Sequence, residues 1–191
     1  MNNATKNLED DHVFILKLID VLEIMTDATV PVVSDLEEAV TLIKNFADGL
    51  HHAKEEALLF PLMAERGFST QQGPIAVMLE DHTQGRNYVK GMSENINLLK
   101  AGDLSAITAI YHNIQGYSVL LRNHIAKENN VLFRMADNAL SVSDQESLFI
   151  QFKKVESQNL PNNQKSDFIA RIEKLAQVYN LKHQIQNKSI Y

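Results

Sequence analysis

With 191 residues, 45% apolar and 22% charged, the chain is long enough to bury one full core and has ordinary globular composition. A formal charge of −6 without a basic cluster argues against a nucleic-acid or anionic-membrane surface. The absence of cysteine excludes disulfides, thiolate nucleophiles, thiolate zinc sites and iron–sulfur ligation, and no apolar run approaches the ~18 residues of a membrane span.

Helical periodicity begins at Leu8 and runs to about Met25, with Ile15, Ile19 and Leu22 on one face and His12 beside them. Val30-Pro31-Val32 breaks it, and Ser34-Asp35-Leu36-Glu37 reads as a capping box that opens a second helix. That helix carries Val40, Ile43, Ala47, His51, Glu55 and Leu58 in one stripe, until Pro61 ends or kinks it. Gly67 to Gly73 forms a loop, with Pro74 as a first helical residue. The third helix repeats Ile75, Met78, His82, Gly85, Val89, Met92, Ile96 and Leu99, and Gly102-Asp103 turns the chain. In the fourth, Ile107, Ile110, Ile114, Tyr117, Leu121, His124, Glu128, Val131 and Met135 are expected inward.

A second capping box, Ser143-Asp144-Gln145-Glu146, is expected to open a fifth helix ending near Asn159-Leu160-Pro161. Residues from about Ser166 to Tyr179 form a sixth, with Ile169, Ile172, Leu175 and Ala176 apolar. No stretch alternates with a period of two for long enough to be a strand. The expected class is all-α: an up-down-up-down four-helix bundle over residues 1–140, with two further helices over 141–191 packed on it.

The stretch HHAKEEALLFP, residues 51 to 61, holds two overlapping His-x-x-x-Glu pairs, His51/Glu55 and His52/Glu56. Residues four apart share a helix face, so either pair can make a fork. A second copy, HIAKENNVLF at 124 to 133, resolves the register: His124, Glu128 and Phe133 superimpose on His51, Glu55 and Phe60. His52 and Glu56 are then turned by roughly 100°. A lone histidine after an aspartate precedes each fork: Asp11-His12 before the first, Asp81-His82 before the second. Counted from the helix ends at ~1.5 Å per residue, His12, His51, His82 and His124 fall at one height of an antiparallel bundle, with Glu55 and Glu128 pointing into the same layer.

Two glutamates without partners in an apolar interior would be strongly destabilising. Two divalent cations, each taking imidazole nitrogen and a shared carboxylate, would satisfy all six groups. Imidazole with carboxylate suits iron, manganese or zinc. The bland alternative, four core histidines each bonded to a carbonyl, does not account for the glutamates. His112 and His183 read as ordinary polar residues, and Met63, Met78 and Met135 as core filler. Ferritin-like Glu-x-x-His pairs on two helices are not formed, since only Glu9/His12 has that spacing, and the His-Glu-x-x-His metalloprotease pattern is missing.

In order and spacing, His12, His51, Glu55, His82, His124 and Glu128 resemble the H…HxxxE…H…HxxxE pattern of hemerythrin-like proteins over roughly residues 8 to 138. HHAKEEALLFP and GPIAVMLEDHTQGR look like a bacterial branch of that family. The resemblance implies a non-haem diiron centre with two iron ions. His12, His51, His82 and His124 are then terminal ligands, and Glu55 and Glu128 bridge. The sequence departs from the pattern twice. Arg86 stands where blood-type relatives carry a further histidine, and Asn129 where bacterial relatives have aspartate. The iron left short of a histidine would take His52 or Glu56 if the helix were locally distorted, and otherwise water or an exogenous ligand.

The leading functional expectation is therefore a diiron protein binding dioxygen or nitric oxide for sensing, storage or scavenging. The rivals are a diiron oxidase, peroxidase or nitric-oxide-metabolising enzyme, and a bundle merely stapled by metal. Relatives thought to repair iron–sulfur clusters carry a cysteine-containing N-terminal segment that this sequence lacks. Met1-Asn2-Asn3-Ala4 has no signal-peptide core, which points to a cytoplasmic protein without membrane or nucleic-acid partners. The C-terminal helices would cover the bundle or form a homodimer contact.

Overall fold

All eight inward positions read along the third segment are buried in the computed structural model, from Ile75 through His82 and Gly85 to Leu99. The structure describes residues 3–158 and 165–188, and these residues form six helices and no strand. Helix α1 (Ala4–Met25) opens on Asn3, whose side chain accepts the amide of Lys6. Helix α2 starts with Val33–Leu42 and continues unbroken through Ile43–His52, Glu55–Leu59 and Phe60–Glu65. Helix α3 is Gly73–Lys100, and α4 is Ala106–Lys127 continued by Glu128–Leu132 and Phe133–Ala139. Helices α5 (Val142–Gln158) and α6 (Lys165–Lys188) follow.

The caps differ from the sequence reading. Val32, with no side-chain cap bond, precedes α2, so Ser34 sits inside its first turn. Before α5 the reciprocal pair is Ser141 with Asp144: the amide of Asp144 donates to Ser141 Oγ at 3.1 Å, and the amide of Ser141 donates to Asp144 Oδ2 at 3.0 Å. An acidic residue three positions after the serine completes this box two residues earlier than Ser143. The expected end of α5 near Asn159-Leu160-Pro161 lies outside the described residues.

Helices α3 and α4 pack most closely, and two glycines permit it. A Cβ on Gly91 would lie 2.4 Å from Asn113 Oδ1, and one on Gly116 would lie 2.4 Å from Tyr88 Cε1. Each helix thus gives up a side chain where the other inserts one.

The widened, π-helical turns of α2 and α4 shape the site. Ile43–His52 carries both adjacent histidines, while Glu55–Leu59 and Glu128–Leu132 each begin at a fork glutamate. A π-turn adds one residue to the helical count and shifts everything beyond it. After Glu128 the buried residues are accordingly Leu132, Phe133 and Ala136, while Val131 is 49% exposed and Met135 half-buried, against the expectation. Likewise Leu59 is buried and Leu58 is not. The wide turn before Pro61 also lets α2 run on to Glu65, because the pyrrolidine ring avoids the carbonyl it would strike in an α-turn.

The apolar interior falls into two blocks with a polar layer between. One block gathers Ile15, Leu22, Phe46, Met92, Ile114 and Tyr117, with Phe168 and Ile172 of α6. The other gathers Leu8, Phe60, Met63, Met78 and Phe133, with Leu148 and Phe152 of α5. Met63 and Met78 are core filler as read. Arg171 reaches back from α6 to both oxygens of Glu38, at 2.7 and 2.8 Å, and Tyr179 donates to Asp35.

Candidate metal centre

His12, His51, Glu55, His82, His124 and Glu128 all meet in the polar layer, each at most 1% exposed. A seventh side chain, His52, joins them at 5% exposure. The seven form two groups whose candidate ligand atoms lie within 4.8 Å of one another: His12, His51, Glu55 and Glu128, and His52, Glu55, His82 and His124. Glu55 belongs to both.

Within the first group His12 Nε2 and His51 Nε2 are 3.0 Å apart, and Glu128 Oε2 is 3.2 Å from His12 Nε2. Within the second, His82 Nε2 and His124 Nε2 are 3.2 Å apart, and Glu55 Oε2 is 3.5 Å from His82 Nε2. The remaining oxygen of Glu128 is 3.2 Å from His124 Nε2, so that carboxylate spans both groups as well.

The outer nitrogens explain the tautomers. His12 Nδ1 lies 2.8 Å from Asn129 Oδ1, and His82 Nδ1 lies 2.6 Å from Glu56 Oε1. His51 Nδ1 stands 3.5 Å from Asp11, His124 Nδ1 3.3 Å from Asp81, and His52 Nδ1 3.4 Å from Asp48. Acceptors at Nδ1 of His12, His52, His82 and His124 call for Nδ1–H donors there, Asp11 stands at ion-pair distance from His51, and the Nε2 atoms are turned into the layer. Two lone pairs facing at 3.0 Å repel unless a proton or cation lies between them.

The two sequence repeats cross over here. Asp11 and Asp81, which precede the lone histidines, support the fork histidine of their own half. Glu56 and Asn129, which follow the fork glutamates, support the lone histidine of the other half. The aromatic rings follow the same rule: Phe133 stacks on His12 at 5.6 Å and Phe60 on His82 at 6.0 Å.

Arg86 belongs to this outer ring. Its guanidinium donates to Asp48 at 2.9 Å and to Glu56 at 2.7 Å, the two acceptors that hold His52 and His82. The hydrogen bond with His82, with that of Arg86, pulls the Glu56 carboxyl down to about 2 against the opposing effect of burial. The arginine therefore fixes the two imidazoles from outside the layer, and His52 enters it. His52 is the inner residue that the register argument set aside; the π-turn of Ile43–His52 lets adjacent histidines face one layer. His112 is exposed, as an ordinary polar residue should be, and the side chain of His183 lies outside the described residues.

Behind His51 is a charged cluster that periodicity does not reveal. Lys54 is fully buried and donates to Asp11 at 2.6 Å, Asn7 at 2.8 Å and Glu156 at 3.2 Å. Lys165 of α6 pairs with Asp11 and Glu156. Burial alone would raise the Asp11 carboxyl, but His51 and the two ammonium groups hold it well below the carboxylate range.

Electrostatics in the layer are unresolved by protein alone. Burial pushes His51 down to about 3, and His52 and His82 are also lowered by burial. Burial opposes charge on His124 too, but the Glu128 carboxylate and Asp81 outweigh it and raise the group to about 9. Burial and the neighbouring Glu128 drive Glu55 well above its ordinary value, whereas His124 and His12 overcome burial at Glu128 and hold it down. Among the described residues both oxygens of Glu55, both of Glu128 and Nε2 of His52 are buried without a hydrogen-bond partner. Five orphaned polar atoms converging on one layer cost several kcal/mol unless a cation takes them. Imidazole and carboxylate donors, with no thiolate, fit iron and its neighbours in the first transition row.

Comparison with known proteins agrees with this donor set. The chain is 34% identical over 88 residues to the iron-sulfur cluster repair protein YtfE of Escherichia coli O157:H7, and 33% identical over 88 residues to that of Shigella boydii serotype 18. Those matches cover 45% of this chain and 40% of each relative, so the chain spans two fifths of the length of the curated relatives it matches. No solved structure matches it. The family model of the hemerythrin HHE cation binding domain matches residues 3–136, the stretch that contributes all seven inner side chains. The chain belongs to the hemerythrin HHE cation-binding family.

Proposed function

We propose that the layer holds two iron ions and that the loaded protein takes up dioxygen or nitric oxide. His12 and His51 would hold one ion, His52, His82 and His124 the other, with Glu55 and Glu128 shared. The observation that carries this is the sharing itself: one buried carboxylate, Glu55, stands within ligand distance of both histidine groups. The iron pair, when bound, supplies open coordination for a diatomic molecule. The chain's residues do the rest. The outer acceptors turn each Nε2 toward the layer, the stacked Phe60 and Phe133 fix ring planes, and the two apolar blocks close the layer above and below.

Protein purified without added metal should carry close to two irons per chain. The anaerobically reduced form should develop a charge-transfer absorption band when dioxygen or nitric oxide is added. An unchanged spectrum with both gases ends this reading, and one zinc with no iron supports a metal staple instead. Replacing His52 with alanine should reduce iron to about one per chain, because losing a ligand costs more than the roughly 10–100-fold lost with a partner behind one. Two tightly held irons in H52A would return this residue to a purely structural role. A second reading, transfer of iron in cluster repair, is favoured by the likeness to the named repair proteins over 88 residues. Iron release to a cluster-free acceptor protein tests it.

A further inference from the structure

A cleft of about 390 Å³ opens between α2 and α3 and reaches inward to His52 and His82. That volume is within the range of pockets for organic ligands and far exceeds what a diatomic molecule needs. The cleft has room for an organic molecule beside the layer.

Its lining has two zones. The buried part is Ile43, Val89, Tyr117 and the bare backbone of Gly85; the exposed rim carries Lys44 on α2 and Lys90 on α3. Asp48 at the cleft is already taken by Arg86. Glu94 is 3.9 Å from Lys90, a loose pair. Lys44 donates to Ser93 Oγ at 2.8 Å, and among the described residues no carboxylate lies within ion-pair distance of its ammonium. Asp48 and Glu56 offset Arg86 and Glu94 faces Lys90, so among the described residues the Lys44 ammonium is the cation of this cleft left without a carboxylate. An apolar floor below a cationic rim suits a molecule with an apolar body and an anionic head.

We propose that this cleft binds an amphipathic organic carboxylate, its head between Lys44 and Ser93 and its body along Ile43, Val89 and Gly85 toward Tyr117. At Gly85 the missing side chain brings α3 close to α4, where a Cβ would meet Leu121 at 3.6 Å and Tyr117 at 3.8 Å. None of the binding groups is an inner side chain of the metal layer, so the site stands whether or not iron is the resident ion.

Calorimetric titration of the full chain with octanoate, octan-1-ol and octylammonium tests the proposal, on metal-free and iron-loaded protein alike. Octanoate should bind one to one, about tenfold tighter than either analogue, as one charge-assisted hydrogen bond would give. Lys44→Met should remove that advantage, and the exposed position keeps the fold intact. Lys44→Glu should reverse the order and favour octylammonium. Equal affinity of the parent chain for the alcohol, its preference for the ammonium, no binding of any probe, or a K44E variant that still prefers octanoate would each overturn it. Iron content is counted separately, so loss of the metal reading leaves this result untouched.

Discussion

Glu55→Gln should empty both halves of the metal layer at once. A lone histidine variant disables one group, but Glu55 stands in both, and its two oxygens have no other partner. Iron should fall from about two per chain to near zero, with affinity down more than about 100-fold. The same substitution should act with opposite sign on metal-free protein. There burial and Glu128 hold Glu55 as the neutral acid, so folding at neutral pH must take up a proton that an amide of equal size does not need. Removing that cost should stabilise the metal-free fold by about 1–3 kcal/mol. Metal analysis and thermal unfolding with and without iron give both numbers. A variant that keeps two irons and melts like the parent would mean the shared carboxylate does not hold the ions.

Lys54→Met should lower stability by roughly 3–5 kcal/mol, the range for removing one partner of a buried ion pair. Methionine matches the volume of the lysine stem, so the loss isolates the ammonium. Asp11, Asn7 and Glu156 would then face one another with only Lys165 between the carboxylates. Combining Lys54→Met with Asp11→Asn should recover part of the loss, a coupling that a double-mutant cycle in urea measures directly. Loss below about 1 kcal/mol would place this cluster with ordinary surface pairs. Asp11 also faces His51, so iron at the His12–His51 side should weaken in the same variant.

The helical architecture and six of the seven inner side chains were legible because burial repeats every three or four residues, and because the chain contains its fork twice. Helix α3 shows this at its clearest, with eight positions read and eight buried. Val131, Met135 and Leu58 depart from an unbroken α-helical period because the π-turns at Glu55 and Glu128 add a residue to it. Those turns arise where carboxylates must reach the layer, a tertiary demand that leaves no local propensity signal beyond Pro61. His52 was set aside for the same reason, although distortion of the helix was the route by which it could enter. The outer acceptors could have been found from the repeat: Asp11 pairs with Asp81, and Glu56 with Asn129, at matching offsets. Lys54 and its carboxylates could not, because their pairing joins α1, α2, α5 and α6 across more than a hundred residues.

The crossing of the repeats carries a consequence for how such a protein can be divided. Each half aims its fork histidine with its own aspartate, but borrows from the other half both the acceptor and the aromatic ring that steady its lone histidine. A chain severed in the Gly67–Gly73 loop would yield two pieces, neither able to steady its own lone imidazole. Reassociation would restore them together, so that ion capture reports the reunion of the two fragments and not the folding of either.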